Sequence, residues 1–335
     1  MKVLLYSEGK NSLKTSGIGK ARTLQMKALD KASISYTTNI NDTFDIVHIN
    51  TLFKKSYKLM LKMQKRGFKV ISHGHSTVED FEYSFAFWRL IKPWFKKTIT
   101  RMYSHADYII TPSSHSKRNI EKLPISCPIQ ALSNGIDLDD YKNVTPNDIE
   151  LFKTKYNLKD EKTILGVGLF FERKGIHDFI EVARNLPDYK FIWFGHLNPL
   201  LTTRMIRKTI RKRPNNVIMA GYSGGNIIKA AFKYATAVLF PSYEENEGIV
   251  VLEALASKTP LIVRDIDVYS DWLEHRKNCY KGSSNDEFVA LIKEISTNRD
   301  EIIISNGYKV IEERSIDKIG IELGNIYNKV INKNG

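Results

Sequence analysis

The amino-acid sequence predicts an α/β protein built on two parallel sheets, and three observations carry that reading. Short apolar runs alternate with longer helical patterns along nearly the whole chain. Most runs are continuous Val, Ile, Leu and Phe rather than polar–apolar alternations, the pattern of strands covered on both faces. At 335 residues the chain is long for one domain and comfortable for two.

The predicted strands of the first half are Lys2–Tyr6, Asp45–Ile49, Lys69–Ser72, Asp107–Thr111 and Ile129–Leu132. Those of the second are Lys162–Val167, Lys190–Phe194, Val217–Ala220, Ala237–Phe240 and Leu261–Arg264. Helical segments between them supply the crossovers. The polar stretch Asp140–Asp148, with Pro146, reads as a linker between the sheets. Residues 1–145 and 146–312 are expected as the two domains, with 313–335 a helix returning toward the first. A weak echo relates the halves: an apolar strand ends in Pro-Ser at Pro112-Ser113 and again at Pro241-Ser242.

The sequence has 42% hydrophobic and 26% charged residues, a globular composition with ample core. Cys127 and Cys279 have no metal or redox spacing, and two cysteines make no disulfide framework. The first residues hold too short an apolar run for a signal peptide, and no stretch is apolar enough to span a membrane, so a cytosolic protein is expected. The net charge is +14: residues 1–150 hold 23 Lys and Arg against 14 Asp and Glu, residues 151–335 hold 28 against 23. Six of those 28 fall in one window, Arg204, Arg207, Lys208, Arg211, Lys212 and Arg213. Such a chain seeks polyanions: nucleic acid, anionic lipid or phosphorylated ligands.

Four motifs could carry chemistry. Ser16-Gly17-Ile18-Gly19-Lys20 follows the first strand and opens a helix, which fits a phosphate loop and an ordinary tight turn alike. Arg22 stands where a dinucleotide fingerprint needs its third glycine, so a dehydrogenase is disfavoured. Glu172-Arg173-Lys174-Gly175 sets two cations at a helix start, a diphosphate clamp or a solvated cap. Glu245 and Glu253 bracket Gly248, a helix start that can face phosphate while the two carboxylates accept sugar and ribose hydroxyls. His73 and His75 end a strand and share one side of it; with no carboxylate or cysteine cluster beside them, no metal is expected. Asp265-Ile266-Asp267 has the form of a metal-holding triplet but reads as a turn.

Two basic stretches remain. Lys55, Lys58 and Lys62 recur at helical spacing. Further on, Arg89 and Lys92 accompany Phe81, Tyr83, Phe85, Phe87 and Trp88, too many large apolar groups for a solvent loop, and a membrane-interfacial anchor is expected there. Pro93 is expected to end that irregular piece and begin a helix.

At Pro241-Ser-Tyr-Glu-Glu-Asn-Glu-Gly-Ile-Val-Val-Leu-Glu-Ala-Leu-Ala256 the sequence resembles the signature of retaining glycosyltransferase family 4. Ser133-Asn134-Gly135-Ile136-Asp137, Ala106-Asp107 with Ser113, Gly168 through Gly175 and Gly17-Ile18-Gly19 fall in the family's order, so the resemblance spans essentially the whole chain. Phe171 to Ile176, His75 to Phe81 and Val263 to Ile266 resemble, more narrowly, Gram-positive synthases that add a second α-galactosyl or α-glucosyl unit to monoglucosyl-diacylglycerol.

The resemblance implies a GT-B fold, two Rossmann-like parallel-sheet domains facing a central cleft. It implies that Lys174 with Arg173 neutralises the donor diphosphate, Glu245 holds the hexose and Glu253 the ribose. Amides near Gly248 and Ile249 would meet phosphate, His75 would lie at the reacting face, and Gly17 and Gly19 would let the first domain approach the diphosphate. Leu169 stands where the family commonly has Arg, and Arg173 is expected to supply the missing charge. The implied reaction is retaining transfer from UDP-galactose or UDP-glucose to a glucosyl-diacylglycerol on the inner face of a membrane, with no cofactor or metal. Lys55, Lys58, Lys62, Phe85, Trp88, Arg89 and Lys92 would meet acceptor and anionic lipid. Rival readings are transfer to a polysaccharide or teichoic-acid precursor, a sugar-nucleotide epimerase, and a nucleic-acid-binding protein, for which no known module is visible.

Overall fold

Every apolar run singled out above forms a strand, four of them at the expected residues. The computed structural model describes residues 1–9 and 16–332 and divides into two units. Unit 1 comprises Met1–Phe81, Arg89–Asp137 and the C-terminal segment from Arg314; unit 2 comprises Glu82–Trp88 and Leu138–Glu313.

Unit 1 contains, in order, β1 (Lys2–Tyr6), α1 (Gly17–Lys31), β2 (Ser35–Thr37), β3 (Ile46–Ile49), α2 (Lys54–Lys65), β4 (Val70–His73), α3 (Val78–Phe81), α4 (Trp88–Ser104), β5 (Tyr108–Thr111), α5 (Ser114–Glu121) and β6 (Ile129–Ala131). All its strand pairs are parallel, in the order β2-β1-β3-β4-β5-β6. Its core gathers Leu4, Val47, Met60, Met63, Ile99, Met102 and Ile109, from the strands and the inner faces of α2 and α4.

Unit 2 contains α6 (Asp139–Lys142), α7 (Pro146–Tyr156), β7 (Thr163–Val167), α8 (Ile176–Arg184), β8 (Lys190–Phe194), α9 (Arg204–Arg211), β9 (Val217–Gly221), α10 (Asn226–Tyr234), β10 (Ala237–Phe240), α11 (Ile249–Ala256), β11 (Leu261–Arg264), β12 (Tyr280–Gly282), α12 (Asn285–Thr297) and α13 (Glu301–Glu312). Its parallel sheet runs β12-β11-β10-β7-β8-β9, over a core that includes Phe179, Phe191, Trp193, Leu239 and Phe288.

Helix α14 (Ile316–Asn332) belongs to unit 1 and packs along α1. The two helices approach at Gly320, where a Cβ would stand 2.1 Å from the Ala28 carbonyl oxygen.

Three expectations are corrected. The polar stretch 140–148 is not an open linker: Asp139–Lys142 is helical, and Thr145 and Asp148 form a capping box that starts α7 with Pro146 in its first turn. The division between units therefore falls at Asp137/Leu138 rather than 145/146. Pro93 lies inside a continuous α4 instead of starting a helix; near the helix start it removes a single i→i−4 bond, while Ile99, Met102 and Tyr103 hold the helix on the core. β2 (Ser-Tyr-Thr) and β12 (Tyr-Lys-Gly) went unread because neither three-residue segment carries an apolar run.

Candidate active site

In unit 2 the strand order reverses between β7 and β10, the switch point at which doubly wound sheets bind ligands. The turn after β7 carries Lys174; the loop after β10 carries Glu245 and Gly248. Gly175 lets the two converge. It adopts φ +68°, and a Cβ there would lie 2.2 Å from the Pro241 carbonyl oxygen. With the segments in contact, Lys174 Nζ donates to Glu245 Oε1 in a largely buried ion pair. The Lys174 ammonium also lies 5.3 Å from the centre of the Phe240 ring.

Gly248, at φ +88°, is the N-cap of α11 and offers no side-chain cap, so the helix begins with backbone amides directed outward. A Cβ there would come 3.0 Å from the buried Tyr269 hydroxyl. Ile249 begins the helix, and Glu253 is buried further along it, its Oε1 accepting from the Tyr141 hydroxyl at 2.6 Å. The site thus combines a cation, two buried carboxylates and an uncapped helix start, a set suited to the phosphate, sugar and ribose of a nucleotide sugar.

Arg173 has other partners than those expected. Its Nε donates to Ser84 Oγ at 2.7 Å and its Nη1 to the Glu244 carbonyl at 3.0 Å. Arg173 thereby joins Glu82–Trp88 to the Glu245 loop.

Arg264, at the end of β11, is a residue that sequence reasoning left without a role. Its Nη2 meets Asp178 Oδ2 at 2.7 Å, while Nε and Nη1 donate to the carbonyls of Pro241 (3.0 Å) and Ser283 (2.9 Å). A buried arginine thereby fixes the start of the Glu245 loop. The signal was a charge closing an otherwise apolar strand, Leu-Ile-Val-Arg.

In unit 1 the reversal lies between β1 and β3. Ser16 caps α1 by accepting from the Gly19 amide at 3.2 Å, and a Cβ at Gly17 would meet nothing within 4 Å. Three imidazoles stack at the ends of β3 and β4. His73 and His75 are 3.8 Å apart by ring centres, and His48 follows at 5.2 Å from His73. His75 Nε2 donates to Asn50 Oδ1 (3.0 Å), Asn50 donates to Gln25 Oε1 (3.0 Å), and Gln25 Nε2 lies 2.9 Å from His48 Nδ1. With Nδ1 accepting, His48 Nε2 carries the proton toward His73 Nδ1 at 3.1 Å. The Tyr327 hydroxyl of α14 lies 2.8 Å from His48 Nδ1. Burial pushes His48 and His75 down to about 3 and His73 well below its ordinary value, so all three are neutral at pH 7. His48 and Tyr327 were missed; a histidine inside the apolar strand Ile-Val-His-Ile was the available clue to the first.

Lys55, Lys58 and Lys62 line the exposed face of α2 opposite buried Leu59, Met60 and Met63. Of the expected aromatic anchors, Tyr83 and Phe87 are exposed, while Phe85 and Trp88 are half-buried. Phe85 packs edge-on against Phe171 at 4.8 Å and Trp88 against Tyr83 at 4.6 Å, because Arg173 draws this segment onto unit 2. The large apolar side chains left exposed on α4 are instead Leu90 (80%), Ile91 and Trp94 (66%), with exposed Arg89 and half-buried Lys92 among them. Among the described residues no helix is long and apolar enough to cross a membrane, and no three potential metal ligands cluster. Asp265 pairs with Lys281 at 3.2 Å.

Comparison with known proteins agrees with this fold. The family model for glycosyl transferases group 1 matches residues 148–310, and that for glycosyltransferase family 4 matches 27–140. The chain is 51% identical to a processive diacylglycerol alpha-glucosyltransferase of Acholeplasma laidlawii, over 99% of each protein. It is 25% identical to the alpha-galactosylglucosyldiacylglycerol synthase of Streptococcus pneumoniae, over 76% of this chain and 68% of that one. HepE of Anabaena, solved with UDP and glucose, has the same fold with a TM-score of 0.80 at 15% identity, covering 98% of this chain and 100% of its own. Fold and site thus define a glycosyltransferase of the GT-B architecture. Within that class the chain belongs to glycosyltransferase family 4, among relatives that build diacylglycerol glycolipids.

Proposed function

We propose that the protein transfers an α-glucosyl unit from UDP-glucose to a glucosylated diacylglycerol in the membrane surface, with retention at the anomeric carbon. The observation that supports this best is the buried Lys174–Glu245 pair beside the uncapped start of α11. Glucose rather than galactose follows the full-length likeness to the A. laidlawii glucosyltransferase, whose name also suggests that successive units are added.

In this reading Lys174 and the amides at Gly248 and Ile249 stabilise the departing diphosphate without a metal ion. Glu245 accepts hydrogen bonds from hexose hydroxyls, and Glu253, held by Tyr141, accepts those of the ribose. The bond from the anomeric carbon to UDP breaks as the acceptor oxygen bonds to the same face. The acceptor proton passes to the leaving phosphate oxygen, so no protein base is needed. Neutral His75 serves as a hydrogen-bonding group at the hexose, fixed by Asn50, and the open space at Gly17 leaves room for the diphosphate. The cations of α2 and the exposed Leu90, Ile91 and Trp94 of α4 dock unit 1 on anionic lipid at the inner face of the cell membrane.

The test supplies labelled UDP-glucose and UDP-galactose, in parallel and with chelator, to vesicles containing diacylglycerol or monoglucosyl-diacylglycerol. An α-diglucosyl lipid from UDP-glucose is expected. Transfer to a soluble glucoside without vesicles would overturn the lipid acceptor, and a product from UDP-galactose alone would overturn the sugar.

A further inference from the structure

The basic window of unit 2 lies outside the residues proposed above to hold the donor, and its surroundings are unusual. Residues 189–243 contain nine Lys and Arg and no Asp or Glu. Within them, α9 buries Ile206, packs Ile210 on the core, and exposes Arg204, Arg207, Lys208 and Arg211 at the i, i+3, i+4, i+7 positions of one face. None of these four pairs with a carboxylate among the described residues; Arg207 donates to the Pro199 carbonyl at 2.7 Å, which braces the loop ahead of the helix.

That loop is apolar where solvent would favour polar groups. Leu200 is 78% exposed, and Leu201 and Met205 are also exposed. The Ala86 amide donates to the Leu201 carbonyl at 2.9 Å, which sets Phe87, 74% exposed, on the chain beside them. Phe87 sits at φ +65°, a conformation that costs a bulky residue free energy. A projecting apolar cluster beside a one-sided cationic helix face is the arrangement of an interfacial anchor: the apolar groups enter the acyl boundary while the cations meet headgroups.

We infer that unit 2 carries its own anionic-lipid docking surface, made by Phe87, Leu200 and Leu201 with the Arg204–Arg211 face of α9. None of its residues is among those assigned above to the lipid-facing surface of unit 1. This inference rests on the membrane reading above but concerns binding alone, so it can fail while the transfer reaction stands. A polynucleotide would answer the charge but not the exposed leucines, since it offers no apolar phase to receive them.

The experiment compares the full chain with R204Q/K208Q/R211Q and, independently, with L200S/L201S. Sedimentation with phosphatidylglycerol and with phosphatidylcholine vesicles is measured across salt, alongside UDP binding as the check on folding. Each cation removed should weaken partition to phosphatidylglycerol by about fivefold at low salt. The leucine variant should weaken it at all salt concentrations, and UDP binding and transfer to acceptor in neutral detergent micelles should be unchanged. Wild-type partition by both variants overturns the inference. So does loss of single-stranded polynucleotide binding in the charge variant with vesicle binding intact. Vesicle binding lost as expected, in a protein that glucosylates no lipid in micelles, supports this surface and overturns the acceptor instead.

Discussion

At the residue scale the proposed donor site turns on charges that are buried and partnered. Lys174 and Glu245 neutralise each other, which keeps both in a site too dry for either alone. In the proposed reaction each takes a part, so K174A and E245Q are expected to lower kcat by about 10²–10³-fold, beyond the loss of stability that follows from unpairing the other partner. Single-turnover transfer measured beside UDP binding checks this, and near wild-type turnover in either variant contradicts the role. Arg264 acts through structure. R264M leaves the buried Asp178 carboxylate without its guanidinium and frees the Pro241 carbonyl. Removal of one partner from a buried pair costs about 3–5 kcal/mol. Denaturant unfolding should show that loss, with a larger effect on donor KM than R276Q, whose lost pair with Glu294 is exposed.

At the element scale, glycines set how closely segments approach. The contact of α14 with α1 depends on Gly320, whose added Cβ would fall 2.1 Å from Ala28 O and 2.9 Å from Ala32 Cβ. G320A must therefore push α14 outward, although alanine is the better helix former. A loss of about 1–3 kcal/mol is expected, the usual cost of overpacking. Because Tyr327 lies on the same helix and bonds His48, amide exchange should also quicken around β3. Exchange unchanged at both α14 and β3 would show that the helix yields without disturbing the network.

At the scale of the whole molecule, the chain leaves unit 1 after Phe81, returns at Arg89, leaves again after Asp137 and returns at Arg314. Acid should expose unit 1 first. His48, His73 and His75 are depressed by burial, so below pH 6.5 the unfolded chain binds protons that the folded one refuses. Their contribution is complete above pH 6.5 and is lost as pH falls toward about 3, at up to about 1.4 kcal/mol per pH unit for each histidine. Unfolding followed between pH 7 and 5 should reveal this slope, reduced in H48Q; equal stability at both ends would place the imidazoles in contact with water.

The sequence by itself determined the α/β class and ten of the twelve strands among the described residues, because buried parallel strands are written as apolar runs. It singled out Lys174, Glu245, Gly248 and Glu253 as candidates because each lies within a short contiguous motif. Only the tertiary structure decided the partners of Arg173, since Ser84 is 89 residues away. It alone joined His48 to Tyr327 across 279 residues and left Leu90 and Trp94, not Phe85 and Trp88, facing solvent. Hydrophobic pattern sets which segments are buried in an element. Which side chains meet across distant elements is set by packing, and packing has no local signature.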